Sequence, residues 1–269
     1  MTGTSRAALA SAQLEVGQGL ATVTLNRPEA RNGMNQSLAD DLYVIADRLH
    51  SDDSVRAVLI VGRGPVFSVG GDIGVFASTT PDERSETLRG MAARYHDALG
   101  LLARLAKPVV CAVHGAVAGA ALGLVYVADI AIAAEGTKFA LGFGDIGLAG
   151  DGGTSWFLPR LVGARRAAQL YFEGRVLVAD EAAEWGLITR VVPAEDLPDH
   201  ARVSAQRLAQ GPTQAYGAMR TLFRLSAGTQ LEPQLERETE TVGRIAGTHD
   251  AAAAFESFAS KQCPTFVGR

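Results

Sequence analysis

One carboxylate stands among four glycines in Ile146-Gly147-Leu148-Ala149-Gly150-Asp151-Gly152-Gly153-Thr154-Ser155-Trp156, just ahead of a helix expected to begin near Gly153. An Asp in such a place commonly caps the helix that follows, and composition alone does not decide between that role and a chemical one. Two more glycine-rich segments each follow a strand-like run: Phe67-Ser68-Val69-Gly70-Gly71-Asp72, and Gly115-Ala116-Val117-Ala118-Gly119-Ala120-Ala121. Neither is a phosphate loop, because the Gly-Lys-Ser/Thr ending is missing and Phe67 stands where a GxGxxG pattern begun at Gly62 and Gly64 needs its third glycine. Small residues instead let backbone N–H groups approach a ligand, the second segment doing so at a helix N-terminus. Two such donors aimed at one oxygen form an oxyanion hole, worth about 2.7–4 kcal/mol of transition-state stabilisation per donor. Tight turns and close packing account for the same glycines, so both readings stand. Cys111 and Cys263 lie far apart with no CxxC and no His cluster near either, which indicates neither a zinc site nor a disulfide framework.

The elements that must position these residues read as an α/β core. Leu14–Val16 and Ala21–Leu25 form a hairpin across Gly17-Gln18-Gly19. A helix follows with Ser37 as its N-cap and Leu38, Leu42, Ile45 and Leu49 on one face. Buried strands are expected at 55–61, 109–113, 130–133 and 189–192, and a charged helix at about 82–105. Short apolar strands alternating with helices imply parallel pairing with right-handed crossovers. Residues 1–12 read as a disordered tail without the apolar run of a signal peptide, 13–199 as the core, and 200–269 as a helical region whose apolar stripes must pack on the core or on another subunit.

The chain is 269 residues long with 47% apolar and 20% charged residues, the balance of a soluble globular protein. A net charge of −4 leaves no electrostatic footprint for a polyanion, so nucleic acid is not an expected partner. The stretch from Pro108 to Ala134 carries a GxxxGxxxG pattern at Gly115, Gly119 and Gly123, yet its uninterrupted apolar part is shorter than the roughly 20 residues of a membrane span. A buried strand followed by a helix packed through its glycines explains it without a membrane. The cysteine usage fits a reducing compartment, and the expected location is cytoplasmic.

Six collinear segments together resemble the crotonase, or enoyl-CoA hydratase/isomerase, superfamily: NRPEARNGMN (26–35), FSVGGD (67–72), KPVVCAVHGAVAGAALGL (107–124), IGLAGDGGTSWFLPRLVG (146–163), EAAEWGLITRVV (181–192) and FASKQCPTFVGR (258–269). The resemblance implies a spiral of ββα repeats with a helical C-terminal region that forms trimers, often paired into hexamers. It also implies an acyl-CoA thioester substrate, coenzyme A entering as part of that substrate, with no metal and no separate cofactor. By the family pattern the backbone donors to the thioester oxygen fall on Val69 and Ala120, flanked by Gly70, Gly71, Asp72 and Gly119. Arg31 and Lys261 are the implied contacts to the coenzyme A phosphates or adenine, the latter from a neighbouring subunit, although solvated surface charge explains them as well.

The departures from the pattern carry the functional expectation. The two glutamates with which hydratases of this family add water fall here on Gly123 and Phe143, so both are absent. Asp151 matches the position where dienoyl-CoA isomerases and the phenylacetate-pathway type of isomerase place a carboxylate, and IGLAGDGGTSW is most similar to the latter. The implied chemistry is double-bond isomerisation, with Asp151 moving a proton along an enolate. The same position is the nucleophile of 4-chlorobenzoyl-CoA dehalogenases, whose His falls on His96 and whose Trp is replaced by Phe143. Hydrolysis, dehalogenation or weak hydration by Asp151 with His96 is therefore the alternative, and a catalytically silent acyl-CoA binder is another. His114, at a strand end, reads as a turn or core residue.

Overall fold

The computed structural model describes residues 5–269. Strand β1 (Ser5–Ala8) pairs antiparallel with β2 (Ala12–Gly17), which pairs antiparallel with β3 (Leu20–Leu25). The turn between β2 and β3 is made at left-handed Gln18 and Gly19. The expected tail over 1–12 is thus corrected where it is described: residues 5–8 find backbone partners on β2, and residues 1–4 lie outside the described residues.

Helix α1 (Gln36–Ser51) buries Leu38, Leu42, Ile45 and Leu49 as its spacing predicts. Its N-cap is Asn35, whose side chain accepts the Leu38 N–H at 2.9 Å, and not Ser37. Ser37 faces the strands instead, where its hydroxyl accepts from Ser11 Oγ at 2.8 Å.

The chain then builds the central sheet. Strand β4 (Ala57–Gly62) leads through the short helix α2 (Ile73–Ser78) and the long helix α3 (Pro81–Arg104), which starts at a Thr80–Glu83 capping box. Strand β5 (Val109–Val113) passes directly into β6 (Ala116–Ala118), followed by a 3-10 turn (Gly119–Ala121) and α4 (Leu122–Val127). Strands β7 (Ile130–Ala134) and β8 (Lys138–Ala140) repeat the pattern ahead of α5 (Thr154–Val162) and α6 (Ala164–Phe172). Each pair gives its first strand to one sheet and its second to another before a helix follows, which is the ββα repeat. Strand β9 (Val176–Val178), α7 (Ala179–Glu184) and β10 (Arg190–Val192) complete the sheets. One has seven strands in the order β1-β2-β3-β4-β5-β7-β10, parallel from β3 onward; the other is β6-β8-β9. The glycine repeat at 115, 119 and 123 is not one helix, since Gly115 and Gly119 take left-handed turns around β6 and only Gly123 lies in α4. No helix among the described residues is long and apolar enough to cross a membrane.

Alternation along the strands divides the core. Val58, Ile60, Val109, Cys111 and Val113 face α1 and α3, while Ala57, Leu59, Val110, Ala112 and Ile132 face α8 (Leu197–Ala209) through Ala201, Ala205 and Ala209. The expected boundary at 199/200 therefore falls inside a helix that covers the sheet. Helices α9 (Thr213–Ser226), α10 (Leu231–Ala246) and α11 (His249–Ala259) follow.

Arg220 of α9 is the rivet between this helical region and the core. Its side chain, 4% exposed, meets both Asp129 oxygens at 2.9 and 2.7 Å and donates to the carbonyls of Leu102, Ala103 and Val127. Asp129, the acidic interruption of the apolar stretch, also accepts the Val109 N–H at 2.8 Å. Removing one partner of such a pair leaves the other charge uncompensated, at about 3–5 kcal/mol. Arg220→Met is expected to lower stability by that amount, read as a shift in the denaturant midpoint with the slope unchanged.

Candidate active site

The two glycine-rich segments lie side by side, and Asn32 starts the arrangement. Fully buried and left-handed at φ 53, it donates its side-chain amide to the carbonyls of Arg63, Val66 and Phe67 at 2.8, 3.2 and 2.9 Å. The returning strand end is thereby folded over β4. Ser68 Oγ donates to the Asn32 carbonyl at 2.7 Å, and Ser68 and Val117 form a parallel bridge. In that bridge Ser68 N–H donates to Ala116 O at 3.2 Å and Ala118 N–H to Ser68 O at 3.0 Å. Gly70 comes so close to the second segment that a Cβ there would sit 2.5 Å from Ala118 O and 3.2 Å from Ala120 N. Its φ of +82 also requires glycine.

Beside this bridge opens a cavity of about 570 Å³, with largely apolar walls from α2, α3 and the 141–150 loop. Of the expected residues, Val69, Gly71, Gly119, Ala120, Phe143 and Asp151 line it. A larger groove, about 1310 Å³, runs between α9, α10 and the C-terminal stretch and holds none of them. Gly70 and Asp72 stand behind the cavity wall. Asp72 caps α2 through the Gly74 N–H at 3.2 Å and pairs with Arg27 at 3.1 Å, so it holds the loop. Arg31 and Lys261 are not on the lining either. Arg31 bears on the site through its backbone, and Lys261 is an exposed left-handed residue just beyond α11. His114 bonds the Gly64 carbonyl at 2.8 Å, a turn role.

The two expected donors differ. Ala120 is buried in the first turn of the 3-10 segment, where helical geometry provides no acceptor for an N–H. The Val69 N–H already donates to the Arg31 carbonyl at 3.2 Å, the long end of the normal range. An incoming oxygen must compete for it.

Asp151 does not cap α5. The cap position is left-handed Gly153 with no side-chain bond, and Asp151 Oδ1 accepts the neighbouring Gly152 N–H at 2.7 Å. The same oxygen meets Nε2 of His96, carried by α3. Burial raises the Asp151 pKa, but the His96 hydrogen bond, the Gly152 N–H and the His96 charge together hold it below the ordinary 3.8. The bond to Asp151 raises the His96 pKa above 6.5, against partial burial. Around pH 6 the pair is an imidazolium and a carboxylate, with the carboxylate turned to an apolar cavity. Of the two positions on which the resemblance places the hydratase glutamates, Gly123 is buried in α4 and Phe143 is an apolar wall. Sequence reasoning passed over three residues of the site: Asp145, an exposed carboxylate on the cavity lining, and the neutral Asn32 and Tyr95. Only the pattern of backbone carbonyls around Asn32 distinguishes it from any other loop Asn, and that is invisible in a single sequence.

A family model described as enoyl-CoA hydratase/isomerase matches residues 15–269. The chain is 36% identical over 256 residues to the 1,2-epoxyphenylacetyl-CoA isomerase of Escherichia coli (strain K12), covering 94% of this chain and 97% of that protein. It is 33% identical over 244 residues to 4-chlorobenzoyl coenzyme A dehalogenase-2 of an Arthrobacter sp, covering 91% and 88%. The crystal structure of a protein assigned as an enoyl-CoA hydratase/isomerase from Mycobacterium abscessus superposes with a TM-score of 0.90 at 35% identity, covering 99% of this chain and 100% of that one.

The ion pair sets a pH signature. Because the folded pKa of His96 is raised, its contribution to stability is fully present below pH 6.5 and is lost as pH rises through the folded value. Because that of Asp151 is lowered, its contribution is present above pH 3.8 and is lost as pH falls through the folded value. The pair therefore stabilises most between the two. In Asp151→Asn the His96 pKa is expected to fall back toward 6.5, measured by NMR titration of its Cε1 proton. An unchanged titration would disprove the pairing.

Proposed function

Since this chain belongs to the enoyl-CoA hydratase/isomerase family, we propose that it is an acyl-CoA isomerase in which Asp151 moves a proton between two carbons of the acyl group. The observation that carries this reading is the part-buried Asp151 carboxylate on the cavity that also holds Ala120, with Gly123 and Phe143 where hydration needs glutamates.

In this mechanism the thioester oxygen accepts from the Ala120 N–H and draws the Val69 N–H away from the Arg31 carbonyl. Asp151, ionised by His96, takes the proton from the carbon next to the carbonyl or vinylogous to it. The C–H electron pair enters the conjugated system as an enolate, its charge on the oxygen held by the two donors. The protonated Asp151, whose acid proton exchanges with solvent through the half-exposed His96, then protonates a different carbon, and the double bond has moved with no net atom gained or lost.

A second reading, attack by Asp151 on an aryl-CoA or activation of water on the thioester, is favoured by the contact between His96 and Asp151. Isomerisation is preferred because an imidazolium donating to Asp151 cannot act as a base until it loses its proton, and because the dehalogenase Trp is Phe143 here. A cytoplasmic location agrees with the two unpaired cysteines. A homotrimer or hexamer would cover the exposed Phe223, Leu231, Val242, Phe255 and Phe258 of α9 to α11. Sedimentation equilibrium is expected to give three or six times the mass of one chain.

Incubation with 3-enoyl-, 2,5-dienoyl- and aryl-CoA thioesters in deuterated water tests the chemistry. The expected result is a double-bond shift with deuterium exchange, reduced about 10²–10⁴-fold in Asp151→Asn but not in Asp145→Asn. Halide or free acid released from the aryl thioesters supports the second reading. Binding with neither a double-bond shift nor release of halide or free acid overturns both and leaves an acyl-CoA binder.

A further inference from the structure

Tyr95 lies one residue before His96 on α3, yet it points the other way. Its side chain is among the largest fully buried ones, at 1% exposure, and it reaches the inner side of the cavity wall. The phenol donates to the Ala120 carbonyl at 2.8 Å. Burial, with the Asp151 charge adding to it, pushes the phenol pKa well up, so the hydroxyl remains protonated and a donor. It thus sits against the start of α4, on the carbonyl of residue 120.

Two consequences follow from the geometry. Within a helical turn the C=O and N–H of one residue point in opposite directions along the axis, so, while the turn holds φ and ψ of Ala120, a bond that anchors its carbonyl also constrains where its N–H is aimed. The packing around the hydroxyl is also complete. A Cβ at Gly123 would lie 2.9 Å from the phenol oxygen, 2.7 Å from Leu99 Cδ1 and 2.7 Å from the Gly152 carbonyl. A Cβ at Gly152, beside Asp151, would lie 2.7 Å from the same Ala120 carbonyl. The space beside residue 123 is filled, and Tyr95 supplies part of the filling.

We propose that Tyr95 is a positioning residue for the substrate carbonyl: its hydroxyl, wedged between Ala120 and Gly123, aims the Ala120 N–H into the cavity and closes position 123 to any side chain. The inference rests on the thioester reading above, and the test separates the two. Calorimetry would compare binding of a saturated, unreactive acyl-CoA thioester with the thioether in which CH₂ replaces the carbonyl, for wild type and Tyr95→Phe. Wild type is expected to prefer the thioester, and Tyr95→Phe to lose about tenfold of that preference while thioether affinity stays within about twofold, since one net hydrogen bond is worth roughly that ratio. The infrared stretch of a ¹³C-labelled thioester carbonyl, lowered on binding to wild type, is expected to return toward its free value in the variant. A purely structural role for Tyr95 would weaken both ligands alike and leave the ratio and the bound stretch unmoved, which would overturn the proposal. No preference in wild type overturns the thioester reading itself. Should Tyr95→Phe not fold, a crystal structure of wild type with the saturated thioester decides: a carbonyl held on Ala120 N with Tyr95 still bonded to Ala120 O supports the inference, and a carbonyl held there with Tyr95 turned away overturns it.

Discussion

The site depends on one close approach of two backbones, Ser68-Val69-Gly70 against Ala116 to Ala120. The parallel bridge between Ser68 and Val117 sets the register, and the missing side chain of Gly70 sets the separation. Any larger residue at 70 would collide with a carbonyl rather than with a movable side chain, so the approach admits no repacking. Asn32 secures it from behind by satisfying carbonyls that the tight return would otherwise bury unpaired. Hence two loops, the usual carriers of mobility, are held together here by backbone hydrogen bonds of the kind that join strands.

Electrostatics then divides the labour. Holding Asp151 ionised at the edge of an apolar cavity is unfavourable in isolation, and the raised His96 pKa is the other half of the same interaction. The arrangement has a cost in chemistry, because a carboxylate stabilised by an imidazolium and an N–H is a weaker base than a free one. On the proposed reading, the acidity Asp151 needs in its substrate comes from the carbonyl side of the cavity, which ties its role to the backbone N–H groups opposite it. The bond from Val69 to the Arg31 carbonyl fits the same logic: it is long, and an oxygen gaining negative charge is a better acceptor than a neutral peptide carbonyl.

Much of this was legible in the sequence where burial imposes a period. Strands β4, β5 and β7 are short β-branched and aliphatic runs, and their places agree with expectation because a strand buried on both faces has little freedom in composition. Asp151 and the two glycine segments were legible because small residues in such numbers are unusual outside turns and ligand sites. Other features were hidden for physical reasons. Residues 5–8 form a strand only because β2 offers an unpaired edge, which their own composition does not announce. Asn35 and Ser37 are both good caps, and the choice was made by a distant contact, Ser11 to Ser37. The four-residue glycine spacing imitates a helical period although two of the three glycines serve turns. Tyr95 and Arg220 look like an ordinary core aromatic and an ordinary surface cation until the chain is folded, since their partners are backbone carbonyls from other elements.

The absence of a carboxylate at position 123 is better understood as a matter of volume than of charge. A glycine there would seem to leave a gap that a glutamate could enter. The packing argues otherwise: Leu99, the Gly152 carbonyl and the Tyr95 hydroxyl already occupy the first atoms any side chain would need. Two of these three belong to α3 and the third to the loop of Asp151, so opening room at 123 means moving the very elements that hold His96 and Asp151 together. The space beside residue 123 and the His96–Asp151 contact thus depend on one piece of packing, that of helix α3 against the start of α4. On the isomerase reading proposed above, this packing is what keeps a side-chain carboxylate out of position 123.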